Sequence, residues 1–225
     1  MNIVDIIFPV SGEPVPVDHG YPLYAALSRR LSWLHDEDNS GGHEGAAVGV
    51  LGLTGRSVGD SRLALDARSK LRLRLPAERL SEAVGLTAAT LKVSGAQVRL
   101  GPPSVRPLVP ATSLWSPLVL IKVAGRQGGD RVEPESFVAA ADRQLAALGI
   151  DAELSLPVRT AGERAGEPRR KVLRVKGATH AGYPVLVTGL SSDGSLKLQA
   201  HGLGGRRRMG CGLFLPARRD QGGAA

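Results

Sequence analysis

GPPSVRPLVPATSLWSP, residues 101–117, decides how this chain is organised, because five prolines between 102 and 117 remove backbone donors and rule out a sheet interior. Read as a linker over 102–117, it separates two segments of similar design. Upstream, residues 2–10 alternate and then run apolar, as a buried strand does. The turn-rich SGEPVPVDHG (11–20) follows, with Asp18 placed to cap a helix from about Tyr21 to Leu34 that carries Leu23, Ala26, Leu27, Leu31 and Leu34 on one face. HDEDNSGGHEG (35–45) ends that helix as a polar loop. AAVGVLGLTG (46–55) and KLRLRLP (70–76) read as strands, AERLSEAVGL (77–86) as a short helix, and AATLKVSGAQVRLG (88–101) as one last strand. The order is β-α-β-β-α-β. Downstream, LVLIKVAG (118–125) is a strand and 133–150 a helix with Pro134 in its first turn. Four strand candidates follow: KVLRVKG, YPVLVTGL, SLKLQAHG and GLFLP. The expected fold is α+β, with tandem ferredoxin-like (RRM-like) domains at 1–101 and 118–225 and no residue-level internal repeat.

Positive charge is confined to one region. From Arg159 to Ala225 there are 13 Arg or Lys against 4 Asp or Glu, whereas the first 158 residues hold 16 against 17, so the net +8 of the chain sits in its last third. Such segregation, at a sequence pI near 10.2, points to nucleic acid. Aromatic residues make up only 4% of the chain, which leaves base stacking a minor role and phosphate contact the major one. A single cysteine, Cys211, excludes an intrachain disulfide and a multi-cysteine zinc site, and no metal or cofactor is expected. The start, MNIVDIIFPV, has no basic n-region, and no stretch of 18 apolar residues occurs, so a cytoplasmic chain without membrane contact is expected.

The densest cationic signal is GLGGRRRMGCGLFLP, residues 202–216, in which five glycines surround Arg206, Arg207 and Arg208. Glycines let the backbone approach another molecule closely, and the N–H groups of residues such as Gly204 and Gly205 are expected to point outward as an anion-binding concavity. A Gly-Lys-Ser/Thr ending and a following helix are both absent from this reading, which argues against a nucleotide-binding loop. RRKVLRVK (169–176) adds Arg169, Arg170, Lys171, Arg174 and Lys176, with Arg174 and Lys176 two apart and hence on one face of a strand. RAGEPRRK just before it reads as a flexible approach arm, and His201 immediately precedes the glycines.

FPVSGEPVPVDHGYPLYAALSR (8–29), LHD (34–36) and GLGGRRRMGCGLF (202–214) together resemble the CRISPR-associated repeat endoribonucleases, the sixth Cas family of the repeat-associated mysterious protein superfamily, in a myxobacterial-type branch. The resemblance implies tandem ferredoxin-like domains, metal-independent cleavage of stem-loop CRISPR repeat RNA, and frequent retention of the mature guide RNA among the other subunits of a Cascade-type effector complex. It also implies a catalytic histidine at the end of the first helix, where His35 stands.

RNA is cut without metal when its 2′-OH attacks the adjacent phosphorus, which requires one proton to be removed and another delivered to the 5′ oxygen. Histidine suits either task because its pKa of about 6.5 leaves both forms accessible near neutrality. His35 and His43 are the first candidates, followed by His19 in the DHGY segment and by Tyr24, where relatives place tyrosine or histidine. His19 in its own turn and His35 at a helix C-terminus also have purely structural readings. Arg29 and Arg30 stand about a turn before His35 as cations for the transition state, or as a solvated helix face. The alternative function is a noncatalytic subunit that binds repeat RNA through the same basic residues.

Overall fold

A computed structural model of the chain describes residues 2–36, 48–122 and 132–218, so His43 lies outside the described residues. The chain divides into a first unit of residues 1–108 with 207–210 and a second of 109–206 with 211–225.

The first unit contains β1 (Ile3–Gly12), β2 (Val15–Pro16), α1 (Gly20–Ser28), α2 (Trp33–Asp36), β3 (Gly49–Leu53), β4 (Arg56–Ser57) and β5 (Arg62–Ala64). It continues with β6 (Lys70–Pro76), α3 (Leu80–Val84), β7 (Thr90–Val93), β8 (Ala96–Leu100) and β9 (Ser104–Pro107). Its main sheet runs β3-β6-β1-β8-β7, all antiparallel, which is the ferredoxin-like order with β7 added at one edge. Alternation on β1 buries Val4, Ile6, Phe8 and Val10 in one apolar core with Leu23 and Leu27 of α1.

On the opposite phase of β1, Asp5 lies across from Arg74 in register, and the pair is 5% and 0% exposed. Arg74 Nε donates to Asp5 Oδ1 at 2.8 Å and Nη2 to Oδ2 at 3.0 Å, while Arg72 Nη1 reaches Oδ2 at 3.3 Å. The bidentate geometry satisfies the carboxylate where water does not.

Three local expectations are corrected. The helix read over Tyr21–Leu34 is two: a straight helix would place Trp33 about 200° from Leu31, yet Leu31, Trp33 and Leu34 are all buried. The chain resolves this by breaking after Ser28, whose hydroxyl donates to the Tyr24 carbonyl at 2.7 Å, and by tightening into i→i−3 bonds from Leu34 to Leu31 and from His35 to Ser32. The strand read over 88–101 is a hairpin, because Ser94 and Gly95 at φ 49° and 89° make a two-residue turn between β7 and β8. The proline-rich stretch is also partly paired, since β9 adds to β1 over Val4–Ile7 as an outer strand.

The cap expected from Asp18 is not the helix start either. His19 occupies the N-cap position without a capping bond; its Nδ1–H instead donates to the Pro16 carbonyl at 2.8 Å and Nε2 accepts the Leu53 N–H at 3.0 Å. The ring is 7% exposed, and burial pushes its pKa down, against the Pro16 carbonyl and the Asp18 charge.

The second unit contains β10 (Leu114–Val119), α4 (Pro134–Ala147), β11 (Glu153–Ser155), β12 (Lys171–Val175), β13 (Ala178–Thr188), α5 (Ser192–His201) and β14 (Leu215–Pro216). The sheet order β11-β13-β10-β14, again antiparallel, repeats the ferredoxin-like arrangement, and β12 extends β13 as a hairpin. Phe137, Ala141 and Leu145 of α4 pack with Tyr183, Val185 and Val187 of β13. SLKLQAHG, expected as a strand, is helical. Ser191 accepts the Gly194 N–H at 3.1 Å, Asp193 pairs with Lys197 at 2.8 Å one turn on, and Gly194, Ser195, Leu198 and Gln199 form the buried stripe. The alternating leucines that suggested a strand are divided between solvent, for Leu196, and core, for Leu198.

Two stability outcomes are expected. Asp5→Leu strands the Arg74 charge and should cost about 3–5 kcal/mol in urea unfolding, whereas Asp5→Leu with Arg74→Met recovers most of it; additive losses would contradict the pairing. His19 resists protonation in the folded chain and takes a proton at about pH 6.5 once unfolded, so its contribution is complete above about 6.5 and is lost as pH falls below it. The urea midpoint should therefore fall between pH 7.5 and 5.5, and less steeply for His19→Gln; equal slopes would refute the assignment.

Candidate active site

In the first unit, α1 and α2 bring Tyr24 and His35 together. The Tyr24 ring is 7% exposed, and its hydroxyl lies 3.3 Å from Nδ1 of the exposed His35, with the two rings edge to face at 5.7 Å and 67°. Tyr24 and Nδ1 share one hydrogen, which leaves Nε2 of His35 as the ring atom for another molecule. Two residues before His35, Trp33 is buried under the Arg79 guanidinium, 5.4 Å from its ring centroid, and Arg79 pairs with Glu82 at 3.0 Å. Leu34, between Trp33 and His35, is 1% exposed. The turn that carries His35 is thus clamped by burial of the two residues that precede the histidine.

The other first-unit candidates divide sharply. Arg29 and Arg30 are exposed after α1, Arg29 at its C-cap. His19 has both ring nitrogens engaged by backbone, as described above. Residues 207–209 form a 3₁₀ turn in this unit, with Met209 against the apolar core. Arg208 is 7% exposed and donates from Nη1 to the Leu34 carbonyl at 2.7 Å. Arg207 is partly exposed, and burial together with the Arg208 charge pushes its pKa down.

In the second unit, the glycine N–H groups are not turned toward an anion. Gly204 N–H donates to the Gln144 side chain at 2.7 Å, Gly205 N–H to the Leu120 carbonyl at 2.9 Å and Gly212 N–H to the Leu118 carbonyl at 2.7 Å. A Cβ on Gly204 would run into the Leu120 carbonyl and one on Gly212 into that of Leu203, so these glycines serve close backbone packing. Arg206, held at φ 60°, is exposed, and its Nη2 donates to Nε2 of His180 on β13 at 3.0 Å. His201 closes α5 half-buried.

Arg174 is exposed on β12, but Lys176 is the first residue of a two-residue turn at φ 48°, followed by Gly177 at φ 84°, and so does not share the strand face with Arg174. The expected approach arm is hydrogen-bonded: Arg159 N–H donates to Glu167, Gly166 N–H to Arg159 and Arg169 N–H to Pro157. That pairing lines an open concavity with Arg159, Thr160, Arg169, Arg170 and Lys171. Arg159 was absent from the sequence candidates; the signal was there in the run of cations around two glycines, at 162 and 166, but only pairing across the turn gathers it.

Among the described residues, no group of three or more His, Cys, Asp or Glu could hold a metal ion, and no helix is long and apolar enough to cross a membrane.

A family model described as Cas6 Crispr matches residues 4–219. The CRISPR-associated endonuclease Cas6 of Myxococcus xanthus (strain DK1622) is 40% identical over 216 residues, which cover 96% of this chain and 82% of that protein. A solved structure of a Cas6-related gene product from Pyrococcus furiosus is similar with a TM-score of 0.67 at 12% identity, over 96% of this chain and 99% of that one. The CRISPR endoribonuclease Cse3 bound to a 19 nt RNA is similar with a TM-score of 0.51 at 13% identity, over 97% and 100%. At such identities these two structures speak to the fold, whereas the family match and the 40% identical relative reach almost end to end. The chain belongs to the Cas6 family of CRISPR-associated proteins.

Proposed function

We propose that this endonuclease of the Cas6 family cuts CRISPR repeat RNA by internal transfer, with His35 as a proton carrier at the scissile phosphate. The observation that carries the reading is the exposed His35 imidazole resting its Nδ1 against the buried Tyr24 hydroxyl. The 2′-oxygen loses its proton and forms a bond to phosphorus, the bond from phosphorus to the 5′ oxygen breaks, and that oxygen takes a proton. The products are a 2′,3′-cyclic phosphate and a 5′-OH. His35 serves one of the two proton transfers through Nε2, and Tyr24 fixes the ring plane so that Nε2 keeps one direction. His43, eight residues on, is the candidate for the other transfer. His19 is given no proton role, because its Nε2 already accepts a backbone N–H.

Binding rests on guanidinium groups rather than on the glycine amides. Arg206, with the arm residues Arg159, Arg169, Arg170 and Lys171, offers phosphate contacts from the second unit, and the partly exposed Arg207 with Arg29 and Arg30 offers them from the first. A paired stem in A form is gripped through phosphates and 2′-OH groups, which suits a surface poor in aromatics. That a structural neighbour of the same fold is bound to a 19 nt RNA supports RNA as the ligand. Retention of the cut product within an effector complex in the cytoplasm completes the reading.

The chemistry draws on imidazole and phenol and calls for no metal. With labelled repeat RNA and excess protein in EDTA, the wild type should cut, and His35→Ala should slow cleavage roughly 10²- to 10⁴-fold with unchanged RNA affinity. Strict dependence on Mg²⁺, or an unchanged rate for His35→Ala, would overturn the mechanism; a stable uncut complex with the wild type would indicate the noncatalytic binding subunit.

A further inference from the structure

Arg208 is the last of three consecutive arginines set among glycines, and sequence alone gives it to the RNA. Its environment says otherwise. The residue is 7% exposed, its Nη1 lies 2.7 Å from the Leu34 carbonyl oxygen, and that bond is itself buried. A guanidinium so enclosed cannot turn to a phosphate without leaving its pocket.

The acceptor is as telling as the donor. Helix α2 is a single turn, Trp33–Asp36, and a helix of four residues has no stability of its own. Carbonyls near the end of a helix also lack internal partners. Leu34 lies next to His35, and its carbonyl is completed by a charge-assisted bond from Arg208, one of the stronger kinds in a buried setting. A positive group at the end of a helix is favourable for the same reason. The donor is anchored as well: Met209 packs on the apolar core, and Gly210 is backed by the Val50 carbonyl of β3. Four residues from near the carboxy terminus are therefore built into the unit that carries Tyr24 and His35.

We infer that Arg208 is a positioning residue for His35: by holding the Leu34 carbonyl it fixes the main chain of α2, and so the contact of the imidazole with Tyr24, without touching RNA. This rests on the proposed role of His35. The three neighbouring arginines then have separate tasks, with Arg206 and Arg207 facing the ligand and Arg208 facing inward.

A double-mutant cycle tests the inference under single turnover with saturating full-length protein, with repeat RNA affinity measured at several salt concentrations. Arg208→Ala should slow cleavage at least about tenfold while leaving affinity and its salt slope as in the wild type, whereas Arg206→Ala should weaken binding and lower that slope by about one. Arg208→Lys, which can still donate to the Leu34 carbonyl, should recover part of the rate and serves if the alanine variant fails to fold. In a His35→Ala background, Arg208→Ala or Arg208→Gln should cost little more, because the group being positioned is gone. A full further loss in that background, or a normal rate with weakened, less salt-dependent binding, would overturn the inference while leaving the His35 mechanism standing. A wild-type rate for His35→Ala would overturn both.

Discussion

A buried guanidinium bonded to one backbone carbonyl holds the short turn on which His35 stands. Arg208 to Leu34 is a contact between residues 174 apart in sequence, and it joins two short pieces of chain that could not hold their shapes alone. One is the four-residue turn of α2, and the other the 3₁₀ turn at 207–209. The carbonyl of the first accepts from the guanidinium of the second, which pairs a buried acceptor with a cation that water no longer reaches. The exposed His35 and buried Tyr24 can then be neighbours in a fixed geometry even though α1 ends at Ser28.

The same economy of charge appears in the body of the first sheet. Asp5 stands across from Arg74 and takes two hydrogen bonds from it, with a third from Arg72, so the alternating basic strand KLRLRLP is partly turned inward. Positive charge in this chain is thus of two kinds. Arg74 and Arg208 are buried and act on the protein, whereas Arg159, Arg169, Arg170, Arg206 and Arg29 reach solvent and can act on an anion. The glycines of the terminal segment belong with the first kind, since the amides of Gly204, Gly205 and Gly212 bond to the protein and the missing side chains of Gly204 and Gly212 make room for carbonyls.

Much of the fold could be read from the residues alone, because apolar alternation on β1, β6 and β13 and the proline at the start of α4 follow local rules. The errors came where a tertiary demand overrode local pattern. SLKLQAHG alternates like a strand, yet the Ser191 cap and the Asp193 to Lys197 pair make it a helix. Leu31, Trp33 and Leu34 cannot all be buried on a straight helix, so α1 had to stop. Tyr24 and His35 were legible as candidates, although their contact was not. The inward turn of Arg208 left no local signal at all, because the residue that recruits it lies in the opposite half of the chain. Residues 37–47, and His43 with them, lie outside the described structure, so that part of the candidate set stays a sequence reading.

In the proposed reaction the nucleophile is the RNA's own 2′-oxygen, and the imidazole only moves protons. The direct measurement is cleavage of a repeat RNA bearing a single 2′-deoxy nucleotide immediately 5′ of the scissile phosphate. The account predicts that this RNA binds with the affinity of the unmodified repeat and stays intact, while the unmodified repeat yields a 2′,3′-cyclic phosphate end. Cleavage of the deoxy-substituted RNA at the same bond would show that water attacks instead, and would contradict it.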